Sequence, residues 1–124
     1  MIYSHWSEVP EDVWPCQFFK PQEIACKGTG EIVLDLDALR ALDAFREKLG
    51  RAFSPSSAYR SAYHNARVGG SPLSMHRLGR AFDIPLSVGE KDALHRCAVD
   101  CGFSGFGLNY HSFIHIDTGR ARAW

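Results

Sequence analysis

Apolar positions in the middle of the chain recur at helical spacing. Leu36, Leu39, Leu42, Phe45 and Leu49 follow one another at steps of three and four, which puts them on one stripe of an amphipathic helix. Asp35 stands at the N-cap position and Gly50 ends the run, so the pattern predicts a helix over 36–49. Ser87, with Glu90 three residues later, is a capping box that opens a second helix running to about Cys101, where Gly102 closes it. Elsewhere the period falls to two. Residues 52–59 read as a strand, and residues 80–86 as another with Ala81 and Asp83 on one face. Residues 103–108 form a glycine-rich strand, Asn109-Tyr110 turns the chain, and residues 111–117 form the last strand. On that strand His111, Phe113, His115 and Asp117 share a face.

The remainder is punctuated by breakers. Pro10, Pro15 and Pro21 leave the first 34 residues irregular apart from a short helix over residues 22–25. Lys27-Gly28-Thr29-Gly30 is a turn; no Gly-Lys-Ser/Thr follows it, so it is not a phosphate-binding loop. Residues 61–75 form a long loop containing Gly69-Gly70 and Pro72, of a length that is usually functional in a small domain. The chain ends in a short basic tail. The order helix, strand, strand, helix, strand, strand predicts an α+β fold, a small antiparallel sheet packed with helices. At 124 residues it is expected to be one domain, 1–124, and a monomer.

Composition narrows the partners. Lys+Arg and Asp+Glu balance at 14 each, which removes the basic surplus expected of a nucleic-acid binder. Arg60, Arg67, Arg77 and Arg80 form a local basic cluster that suits an anionic substrate or a solvated loop face equally well. No apolar run approaches the roughly 20 residues that span a bilayer, so no membrane insertion is expected. The first residues lack the basic and apolar regions of a signal peptide, and cytoplasmic synthesis without a leader is expected. Cys97 and Cys101 read as small apolar residues on a helix. Neither cysteine pair has Cys-x2-Cys spacing, which argues against a zinc knuckle, and a reducing compartment argues against a Cys16–Cys26 disulfide.

His76, Asp83 and His115 carry the candidate chemistry. Two imidazoles and a carboxylate make a three-ligand set that leaves a coordination position open, the catalytic rather than the structural arrangement for Zn²⁺. His115 lies among Phe113, Ile114 and Ile116, and a histidine inside an apolar strand needs a partner. Arg60, at the end of a strand, is a candidate for pairing with a substrate carboxylate or a developing oxyanion; a plain surface arginine is the competing reading.

Ser74-x-His76-x-x-Gly79-x-Ala81-x-Asp83, followed by a histidine on a short later strand, resembles the M15 zinc peptidases, D-Ala-D-Ala carboxypeptidases and peptidoglycan endopeptidases of the hedgehog/DD-peptidase fold. Ser57-Ala58-Tyr59-Arg60-Ser61, Asn65, Gly69-Gly70, Gly105-Phe106-Gly107 and residues 113–119 match the same pattern, closest to its compact phage-encoded branch and over about 18–124. The resemblance implies that His76, Asp83 and His115 bind Zn²⁺, that Arg60 binds substrate or stabilises the transition state, and that Ser74 supports the site. It implies peptidoglycan peptides as substrate and an endolysin-like role, reaching the cell wall after release by a phage holin. Many members carry a glutamate three residues before the last ligand; here that residue is Ser112. His111, with a reference pKa of about 6.5, is then expected to be the general base with Asp117 in support; the reverse assignment stays open. Two other classes compete. One is a non-catalytic, zinc-stabilised wall-binding or virion module of the same fold. The other is a non-haem iron oxygenase using His115-x-Asp117, which lacks a downstream histidine.

Overall fold

The computed structural model describes residues 1–87 and 90–124. Its largest helix is the one the apolar stripe predicts. The Asp35 carboxylate accepts the Ala38 N–H at 2.9 Å and Gly50 closes the helix in the left-handed region, which bounds it at Leu36–Leu49. Leu39, Leu42 and Phe45 from this helix are fully buried, and it packs against a second helix, Lys91–Asp100, through Leu94 and Ala98. These are α2 and α4. The shorter α1 (Pro21–Ile24) and α3 (Ala62–Arg67) complete the α-helices of the described residues.

Four strands make the main sheet, in the order β3 (Ala81–Pro85), β5 (Phe113–Asp117), β4 (Gly105–Gly107), β6 (Arg122–Ala123). β5 is antiparallel to both neighbours and pairs Asp83 opposite His115; β4 and β6 run parallel. Alternation along the central strands divides the sheet into two faces. Phe82 and Ile84 of β3 and Ile114 and Ile116 of β5 face the helices and join a core with Phe45, Phe103 and Phe106. Asp83, His115 and Asp117 occupy the opposite face and are buried as well. β1 (Ile2–Tyr3) and β2 (Ile32–Val33) form a separate two-stranded sheet within the segment expected to be irregular. No helix of the described residues is long and apolar enough to cross a membrane.

Three local expectations change. Residues 52–59 form no regular strand: they make one bridge, Ser57 to Asp83, because Pro55 has no N–H to continue a ladder. The long loop contains α3, capped by the Ser61 hydroxyl accepting from His64 N–H at 3.1 Å, and runs into a 3-10 turn over Met75–Leu78. The tail supplies a strand, β6, making the sheet mixed rather than purely antiparallel. The predicted first turn of α4 falls partly on residues 88–89, outside the described residues. Half of the expected box is present, since Ser87 N–H donates to the Glu90 carboxylate at 2.9 Å, and that carboxylate also takes two N–H bonds from Arg51 at 2.6 Å each.

The link from the 3-10 turn to β3 is Gly79, at φ +72°. A Cβ there would lie 2.8 Å from the Val33 carbonyl oxygen, so a side chain is opposed by both the backbone conformation and a backbone neighbour. Gly79→Ala is expected to destabilise the fold by at least about 1 kcal/mol, read as a lowered urea midpoint at unchanged slope. An unaltered midpoint would refute the close approach to β2.

Candidate metal centre

Each residue of the group is placed by a different piece of local structure. His76 lies in the 3-10 turn, whose start is fixed by the Ser74 hydroxyl accepting His76 N–H at 3.2 Å. Asp83 is the middle residue of β3 and His115 its partner on β5. The segment 56–60 binds both of the first two. Ser56 N–H donates to Asp83 O, Asp83 N–H donates to Ser57 O, and Arg60 N–H donates to His76 O. All three side chains are buried, with His76 2% exposed and Asp83 5%.

Their ring nitrogens are assigned by what each can reach. His76 Nδ1 lies 2.7 Å from the Ala58 carbonyl, which only accepts, so Nδ1 carries a proton, and Nε2 is turned to Asp83 Oδ1 at 3.2 Å. His115 Nε2 lies 2.7 Å from an Asp117 oxygen, so Nε2–H donates outward and Nδ1 meets the same Asp83 Oδ1 at 3.1 Å. One ligand atom from each residue falls within 4.8 Å of the others, so the group could hold a metal ion. Burial works to raise the Asp83 pKa, but hydrogen bonds from His115 and His76 outweigh it and hold the carboxyl at about 2. The group therefore offers an anionic oxygen and two inward-facing nitrogens, a set that suits zinc.

Asp117 is the partner that β5 supplies to His115. Its oxygens accept from His115, from the Gly119 N–H at 2.9 Å, and from both terminal nitrogens of Arg122 at 2.9 and 2.8 Å. Burial acts to raise its pKa, but these donors outweigh it and keep the carboxyl below the usual carboxylate range. Fully buried and with both oxygens engaged, Asp117 is placed to orient a ring rather than to accept a proton from substrate. It meets His115 on the nitrogen facing away from Asp83, so His115-x-Asp117 does not supply the ligand pair of an iron facial triad.

The group forms the floor of a cleft of about 530 Å³. Arg60 lines it, half-buried: Nε donates to Ser57 Oγ at 2.9 Å, one terminal nitrogen to Asn65 Oδ1 at 3.3 Å and the other to Asp83 Oδ2 at 3.4 Å. Ser74 lines it too. The opposite wall is aromatic, with Tyr110 stacked on Phe113 at 4.4 Å and the Trp124 indole N–H donating to the Tyr110 hydroxyl at 2.9 Å. His111, the expected base, is not brought to this cleft: β5 begins at Phe113, so the strand alternation does not extend to residue 111, and the residue is exposed. Arg122 was not foreseen. The signal was present, because a buried aspartate needs a cation and the tail supplies arginines.

The family model for Peptidase M15 matches residues 17–117. The chain belongs to the M15 peptidase family. Among curated proteins none matches it. Membership makes this M15 chain a metallopeptidase with a peptide substrate, and its buried His-Asp-His group is where the fold could hold the metal.

Asp117→Asn keeps the shape of the side chain while removing the charge that faces His115 and Arg122. It is expected to weaken Zn²⁺ affinity about 10–100-fold in chelator competition. Unchanged affinity would show that Asp117 acts on the fold alone.

Proposed function

We propose that the chain is a zinc-dependent peptidase that hydrolyses stem or crosslink peptide bonds of bacterial peptidoglycan, in an endolysin-like role with access to the wall through a holin. The observation that carries this reading is the buried group of His76 Nε2, Asp83 Oδ1 and His115 Nδ1 beneath an open cleft. These three residues would hold one Zn²⁺, whose chemistry when bound is to polarise a carbonyl and acidify a water. The chain's own contributions follow from its donors. Ala58 and Asp117 each accept the outer N–H of one ring, which turns both inward nitrogens toward the Asp83 carboxylate and the position a metal would take. Arg60 has five guanidinium N–H groups and spends three on Ser57, Asn65 and Asp83, which leaves two for a substrate carbonyl or carboxylate.

The surroundings support a stem peptide. Gly69, Gly70, Ser71 and Ser74 line one side beside Val68, Leu73 and Met75, and Arg60 and Arg122, each paired with one buried carboxylate, both keep free donors. Two guanidinium groups with donors to spare suit a substrate that carries carboxylates. One observation favours a second reading, the non-catalytic zinc-stabilised module: among the described residues the acids and imidazoles lining the cleft are His76, Asp83 and His115 themselves, and none is left over as a base.

Purified sacculi separate the two readings. Wild-type protein is expected to contain about one zinc per chain and to release muropeptides, whose masses identify the bond cut. His76→Ala should lose the metal and the activity together. Arg60→Ala should keep the metal and lose about 10²–10³ in rate. His111→Ala should stay close to wild type. Intact sacculi with fully zinc-loaded protein would overturn the catalytic reading.

A further inference from the structure

Asn65 is a buried polar residue outside the metal group, and its position on α3 links Arg60 to the rim of the cleft. It is 2% exposed, yet both ends of its amide are matched. Oδ1 accepts from Arg60 at 3.3 Å and Nδ2 donates to the Ser71 carbonyl at 2.8 Å. A guanidinium only donates and a carbonyl only accepts, so the amide can sit in one orientation only. The backbone repeats the link, since Gly70 N–H donates to Asn65 O at 2.8 Å. Gly70 also leaves the space for it: a Cβ there would lie 2.8 Å from Asn65 Cγ and 3.0 Å from the Arg60 terminal nitrogen.

We propose that Asn65 is a positioning residue, whose amide aims the Arg60 guanidinium and couples it to the cleft rim at residues 69–74. This rests on the reading of Arg60 as the substrate-facing cation. Ser57 and Asp83 hold the guanidinium from the segment and strand that build the metal group. Asn65 holds it from the other side, and is the contact that also touches Ser71, a residue lining the cleft. A substrate pressing on the rim therefore meets a surface whose position and that of Arg60 are set by one side chain. Asparagine suits this double role. Aspartate keeps an acceptor for Arg60 but turns an oxygen toward the Ser71 carbonyl; alanine loses both bonds.

The test uses zinc-loaded full-length protein, kinetics on solubilised sacculi, and the Arg60 Nε–H resonance in ¹H–¹⁵N spectra. Asn65→Ala is expected to lower kcat about tenfold, less than the 10²–10³ expected for Arg60→Ala, with no further loss when the two are combined. Asn65→Asp should restore most of kcat and leave KM raised. The Arg60 Nε–H signal, held against Ser57 in the wild type, should broaden or exchange rapidly in Asn65→Ala and persist in Asn65→Asp. Equal fold losses in the presence and absence of Arg60, or an Nε–H signal indifferent to Asn65→Ala, would overturn the proposal. Inert wild-type protein would sink the peptidoglycan reading instead, and the resonance alone would then decide the role of Asn65. If Asn65→Ala does not fold, Asn65→Leu, close in volume and without an acceptor, takes its place: a broadened Arg60 Nε–H signal supports the role and an unchanged one overturns it.

Discussion

A single carboxylate oxygen, Oδ1 of Asp83, receives two imidazoles at 3.1 and 3.2 Å inside a buried sheet face. An isolated charge in that place would be costly, and the surrounding chain is arranged to meet it. The other oxygen faces Arg60, and each histidine is held by a further acceptor on its far side. Among the described residues no buried side-chain nitrogen or oxygen is left without a partner. A network of this kind is satisfied as a whole or is a liability, which ties the metal group to the stability of the sheet.

The apolar side of the same strands makes that arrangement affordable. Phe82, Ile84, Ile114 and Ile116 anchor β3 and β5 to α2 and α4, so the polar residues between them have no freedom to shift along the strand. A slip of one residue would exchange His115 for Ile116. The register that fills the core is thus also the register that assembles the site.

Much of this was legible in the sequence because it rested on local rules. The α2 stripe, its cap at Asp35 and its stop at Gly50 were each determined within a few residues. The period-two runs put Asp83 on one face with Ala81 and His115 on one face with Asp117, and the ordered motifs pointed to the family that the M15 match establishes. What escaped depended on distance. The Ala58 carbonyl that orients His76, the Arg122 clamp on Asp117 and the parallel pairing of β6 join segments far apart in sequence, with no periodicity to announce them. His111 was misplaced for a related reason: alternation holds only within a strand, and where the strand starts is a tertiary matter. The short α3 carried too few apolar residues to show a period.

Strand β4 adds a constraint of a different kind. On the site face it presents Gly105 and Gly107 rather than side chains. A Cβ on Gly105 would come within 2.6 Å of Asp117 Cγ, and one on Gly107 within 2.9 Å of His115 Cβ and 3.0 Å of the Trp124 ring. The volume above β4 is already occupied by the groups that orient the metal ligand. In a library of variants these two positions would be intolerant from the site face, as Phe106 between them is from the core face. Efforts to widen the substrate range would have to work at the rim, at residues 68–74, because the space over β4 has no room for a side chain.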